Sequence, residues 1–249
     1  MVIVAFLFLA GVHLWWQTRD KKDRAESGEM VMDDARVRSE DREIDLGGRA
    51  GGSERENARK REMQRLLKVL ARSSDPGERR SAALRLQYLA DRSAEPKLIE
   101  LLRSDDQIVA RRCAETLLGL WQESDSHSVN RLMKRGLSAY EDGEYEEAMA
   151  RFEMCAELDP DIPDLHRLRA EIMLSQGRVD AAIRTCKKAI SLEPRNFMAH
   201  YVLARCYRRQ SRGDAALQQV DQALDIYPGY QPAGQLRVEI LSLQKAGEL

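Results

Sequence analysis

The chain has 249 residues, 33% of them charged and only 6% aromatic, with 40 Lys plus Arg against 41 Asp plus Glu. That length suffices for one or two domains. The balance of charge argues against a tail or domain dedicated to nucleic acid, and four scattered cysteines with no CxxC pair exclude a disulfide framework.

At the amino terminus, residues 2–16 (VIVAFLFLAGVHLWW) carry no charged side chain apart from the titratable His13. As a helix, residues 1–16 would extend about 24 Å, short of a hydrocarbon core of about 30 Å. Trp15 and Trp16, followed by Arg19, Lys21, Lys22 and Arg24, suggest an interfacial belt with a cationic flank. The expectation is an N-terminal membrane helix over 1–17. It would make a single-pass membrane protein with its carboxyl-terminal part on the cytoplasmic, stromal or matrix side, chloroplast or mitochondrion being the organelles in view. A cleaved signal peptide fits less well, because no charged n-region or small-residue cleavage site is present; a helix buried in an assembly stays open. Residues 18–57, with GGRAGG at 47–52, read as a flexible charged linker.

Residues 58–128 read as helical hairpins. Met63, Leu66, Leu67 and Leu70 share a helical face. Asp75, Pro76 and Glu78 form a start signal with a capping box, and Ser104 with Gln107 forms another. Asp75 and Asp105 lie 30 residues apart, each followed by an arginine pair. This resembles HEAT-like repeats over about 62–121; a plain amino-terminal helical cap is the alternative.

Residues 129–228 hold one 34-residue unit three times: Pro160, Pro194 and Pro228 recur at that spacing. So do Ala148, Ala182 and Ala216, and Phe152, Cys186 and Val220. A fixed period with small residues where helices approach is the mark of a helical solenoid. Each unit divides into helices A and B, spanning Val129 to Glu141 and Tyr145 to Leu158 in the first. Gly143 and Gly177 sit in the A–B turn, but Ser211 stands there in the third unit, so that turn is expected to differ. Residues 229–249 form a capping helix, or half of a fourth unit. The expected fold is an all-α, right-handed helical-hairpin solenoid with an N-terminal membrane helix.

Gly136, Tyr145, Ala148, Phe152 and Pro160 stand where the tetratricopeptide motif places them, and the units resemble that family. Trp121, Leu132-Met133, Arg169-Ala170 and the run Glu193 to Phe197 are similar to a group of small chloroplast and proteobacterial tetratricopeptide proteins. That resemblance implies a scaffold or assembly protein and names no specific partner.

The concave face of such an array is lined by the A helices. The candidate partner-binding groove is Asn130, Met133, Leu137 and Tyr140 in the first unit. The second adds Asp164, Arg167 and Glu171, and the third Met198, Tyr201, Arg205, Arg208 and Arg209. It runs from apolar to basic and suits a protein or peptide with an acidic patch; a solvated, internally neutralised arginine face is the alternative. Met133, Leu137, Leu168, Met198 and Val202 occupy the positions of the clamp that holds chaperone tails in related repeats, and none is a suitable donor, so that clamp is rejected. Nucleic acid is an unlikely partner.

No HExxH, phosphate loop or nucleophile elbow occurs. His13, His127, His166 and His200 form no catalytic spacing, and no metal or cofactor is expected. The chain reads as a non-enzymatic, membrane-tethered interaction scaffold or assembly adaptor. The alternative is a constitutive structural subunit of a membrane complex.

Overall fold

The computed structural model describes residues 52–247. Two compact units divide the chain between Ala90 and Asp91. The described part of the first is a helical hairpin of α1 (Gly52–Arg72) and α2 (Pro76–Leu89). Helix α1 thus begins inside the stretch expected to be linker; the remainder of that stretch lies outside the described residues. Met63, Leu66, Leu67 and Leu70 of α1 are buried, as are Ala82, Ala83, Leu86 and Leu89 of α2. Asp75 caps α2 by accepting from the Gly77 amide at 2.9 Å, with Pro76 at the first helical position. Glu78 takes the Ser73 hydroxyl at 2.7 Å instead of closing a capping box.

The second unit opens with a 3-10 turn (Arg92–Ala94), then α3 (Glu95–Leu101) and α4 (Gln107–Trp121). Asp106, not Ser104, caps α4, accepting from the Ile108 and Val109 amides. The repeats follow. Helices α5 (His127–Glu141) and α6 (Tyr145–Leu158) make the first, α7 (Pro163–Ser175) and α8 (Val179–Leu192) the second, α9 (Phe197–Arg209) and α10 (Gly213–Ile226) the third. Helix α11 (Gln231–Ala246) comes last.

Numbering each unit from Val129, Pro163, Phe197 and Gln231 as position 1 makes the packing regular. At position 8, a Cβ on Gly136 would lie 2.6 Å from the Phe152 ring; the later units carry Ala170 and Ala204 there and replace the phenylalanine by Cys186 and Val220. Position 15 takes the left-handed backbone in all three turns, φ 80° at Gly143, 77° at Gly177 and 57° at Ser211. The closing bonds are also the same: Glu144 to Ala139, Arg178 to Met173 and Arg212 to Tyr207. The expectation that the third turn differs is therefore corrected. Gln210 donates to Asp180 at 2.6 Å, and 34 residues later Gln244 donates to Asp214 at 2.9 Å. Helix α11 thus sits in the register of a fourth A helix.

The expected membrane helix is overturned: no helix of the described residues is long and apolar enough to cross a membrane. The longest, α1, has 21 residues but is dominated by Arg, Lys and Glu. Residues 1–17, on which that expectation fell, lie outside the described residues. The single-pass localisation, the membrane tether as a partner and the membrane-complex subunit are withdrawn with it.

Candidate functional site: the concave face of the repeats

Positions 2, 5, 9 and 12 of the A helices are those expected on the concave face. A helix rises about 1.5 Å per residue, so positions 2 and 12 stand about 15 Å apart along it. The two ends of the face differ sharply.

At the end formed by the inter-repeat loops, the α3–α4 hairpin lies on the repeats. Helix α4 packs against α7. Gln122, just beyond it, donates to Asp164 Oδ2 at 2.7 Å. The buried Trp121 meets Phe197 with ring centroids 6.2 Å apart, and its Nε1 donates to Glu95 Oε1 at 2.8 Å. Arg103 donates to the Asp225 carbonyl. Phe197 continues into Tyr227 and Tyr230 at 5.3 and 5.1 Å, and Tyr230 into Tyr201 at 5.4 Å. Burial, reinforced by the hydrogen bond that protonated Glu193 donates to Glu95, pushes the Glu193 carboxyl up to about 7. Burial also raises the Tyr227 phenol to about 12.

In mid-groove the charges are buried and paired. Asp164 is 0% exposed and Arg167 5%. Arg167 donates to both Asp164 oxygens and to Glu171 Oε2 at 2.9 Å; Arg205 donates to Glu171 Oε1 at 2.7 Å. Burial works against the charge of Arg167, but Asp164 and Glu171 overcome it and hold the guanidinium above its ordinary range. Arg205 behaves likewise through Glu171. Full pairing is what makes such burial tolerable.

The candidate residues therefore separate. Asn130 ties the 122–126 loop, accepting from the Ser124 amide and donating to its carbonyl at 2.8 and 2.7 Å. Met133, Met198 and Tyr201 are buried, as is the Asp164–Arg167–Glu171 network. Leu137 and Tyr140 are half-buried, and Tyr140 meets Tyr145 edge-on at 5.8 Å. Arg205 is half-buried, Arg208 pairs with Glu239, and Arg209 is exposed. Leu168 and Val202 belong to the core, which removes them from any clamp.

Sequence reasoning missed Gln122, Glu95, Glu193 and Glu239. Part of the signal was present. Asp164, Arg167 and Glu171 have helical i, i+3 and i+4 spacing, and Glu171 and Arg205 share position 9 of successive units.

The repeat histidines and the cysteines are engaged within the fold. His166 and His200, both at position 4, donate Nε2–H to the carbonyls of Pro160 and Pro194 at 2.7 and 3.1 Å. All four cysteines are buried free thiols. No cluster that could hold a metal ion occurs among the described residues.

The family model for the tetratricopeptide repeat matches residues 139–188 and 173–240. TPR repeat-containing thioredoxin TTL4 of Arabidopsis thaliana is 32% identical over 93 residues, 37% of this chain and 13% of that protein. A TPR repeat-containing protein of Rhizobium etli is 26% identical over 148 residues, 59% of this chain and 72% of that protein. The chain thus spans only a small part of the first of these relatives. Among solved structures, the first TPR of Spaghetti (RPAP3) bound to an HSP90 peptide has a TM-score of 0.47 and 20% identity, covering 49% of this chain and 96% of that one. A crystal structure of MamA has a TM-score of 0.42 and 19% identity, covering 71% and 88%. The repeats at residues 139–240 are of the tetratricopeptide type, a family of non-catalytic interaction modules, and form a helical solenoid related to a range of tetratricopeptide proteins.

Proposed function

We propose that this chain is a protein-interaction scaffold, an adaptor in complex assembly, whose repeat array takes a protein or peptide segment bearing acidic side chains. The observation that carries this reading is the run of arginines along α9. Arg205, Arg208 and Arg209 follow one another toward its carboxyl end, and Arg209 is exposed with no ion pair among the described residues. An acidic segment meets this edge through charge-assisted hydrogen bonds. Leu137 and Tyr140 supply half-buried apolar surface on the same face.

The relation to small chloroplast and proteobacterial tetratricopeptide proteins and the HEAT-like character of 62–121 remain part of this reading. Both favour an assembly scaffold made of stacked helices. The test is an array of twelve-residue peptides graded in Asp and Glu content, probed with the full chain at low and moderate salt. Binding that rises with acidic content and weakens with salt is expected; binding indifferent to peptide charge refutes the acidic preference.

A further inference from the structure

We propose that the partner's acidic segment docks on the A–B-turn edge of the array, through Arg178, Arg208, Arg209 and Arg212, and not in the inner groove. The inference rests on the scaffold reading above and locates its binding surface.

The inter-repeat end of the inner groove is closed by the chain itself. The contacts of the α3–α4 hairpin and its following loop fall at the inter-repeat end: Asn130 and Asp164 at position 2, Phe197 at position 1, Glu193 at position 31, and the Asp225 carbonyl. Ser124 adds a bond to Asp159, again at position 31. Position 5 offers no free cation either, since Met133 and Tyr201 are buried and Arg167 is paired with two carboxylates. A ligand seated there would have to evict Trp121 and break a buried ion network.

The opposite end, at positions 12 to 16, is open. Arg178, Arg209 and Arg212 are exposed and Arg208 is half-buried. The Gln210–Asp180 bond joins the α9–α10 turn to the start of α8, which brings Arg178 of one turn beside the arginines of the next. Arg212 lies over the Tyr207 ring, 4.7 Å from its centroid, a stacking that holds its fork in place. Neither Arg178 nor Arg209 has an ion pair among the described residues. The strip is interrupted by Asp180, Asp214 and Glu239, which Gln210, Gln244 and Arg208 engage. Spaced carboxylates repel a uniformly charged phosphate backbone but leave room for discrete Asp or Glu side chains, so the occupant is an acidic peptide segment and not nucleic acid.

The experiment uses the full chain and a fluorescein-labelled dodecapeptide of alternating Glu and Ser, read by anisotropy at low salt, with labelled dT12 in parallel. The variants are Arg209→Glu/Arg212→Glu, both exposed positions, and Trp121→Ala and Gln122→Ala, which loosen the inner wall; thermal melts verify folding, and Gln122→Ala serves if Trp121→Ala fails to fold. The double charge reversal is expected to weaken peptide binding about tenfold or more, loosening the wall to change it less than about twofold, and dT12 to bind more weakly than the peptide. If the peptide binds, the charge reversal leaves it unchanged and the wall variants tighten it tenfold, the inner groove is the site; the edge proposal is overturned and the scaffold reading stands. If dT12 binds more tightly and the same arginines carry it, the strip is a nucleic-acid surface. If the peptide does not bind, the acidic-partner reading fails and the edge site with it.

Discussion

Ser211 shows how far a repeat imposes its backbone on a single residue. Its φ of 57° lies in the left-handed region, which costs a non-glycine residue about 1–2 kcal/mol. It is held there by the Arg212 amide reaching Tyr207 and by the packing of α9 on α10. Ser211→Gly is therefore expected to raise stability by about 1 kcal/mol, readable as a higher denaturant midpoint at unchanged slope. Reading the missing glycine as a different turn was reasonable locally, but the closing bonds on either side outweigh one residue's preference. Glu193 makes a second residue-scale prediction. Its folded carboxyl titrates near 7 because of burial and of Glu95, with Arg195 partly opposing. A carboxyl raised in the folded state contributes most below its unfolded value, near 4.3; that contribution is lost as pH rises through about 7. Melting temperature is expected to fall between pH 5 and 8, and Glu193→Gln to flatten that slope and raise the melting temperature at pH 8. An unchanged slope in the variant would assign the pH dependence to another group.

Among the elements, α7 is the one whose character sequence conveys least well. Asp164, Arg167 and Glu171 look like polar groove lining because charged side chains are almost never fully buried. They are buried because Arg205 of α9 completes the pairing on one side and Gln122 covers Asp164 on the other. Removing one partner strands a charge: Glu171→Ala is expected to cost about 3–5 kcal/mol, since it leaves Arg205 without its carboxylate. In a double-mutant cycle, Glu171→Ala with Arg205→Ala should cost clearly less than the sum of the two; an additive result would mean the pair does not interact. By contrast the extent of α6 and the turn glycines Gly143 and Gly177 were legible, because each depends on residues within one 34-residue unit.

For the whole repeat unit, the array behaves as a line of neighbours in which each helix draws its protection from both sides. Amide exchange is expected to be slowest in α7 and α9 and to rise toward α11. Val238 and Leu241 of α11, 69% and 44% exposed, occupy positions 8 and 11, the former being the one that in earlier units meets helix B. Uniform protection through α11 would show that its outer face is covered. The period, the A and B helices and the alternation of small and large residues were determined by the sequence alone, because helical hairpins of fixed length repeat their local contacts. The membrane helix was an inference from an apolar stretch and a charge bias, and the described helices contain no such element. Only the tertiary structure decided that the α3–α4 hairpin closes the inter-repeat end of the groove, and which arginines are therefore left open. That choice rests on contacts between residues 26 to 122 positions apart, whose energies no local pattern in the chain records.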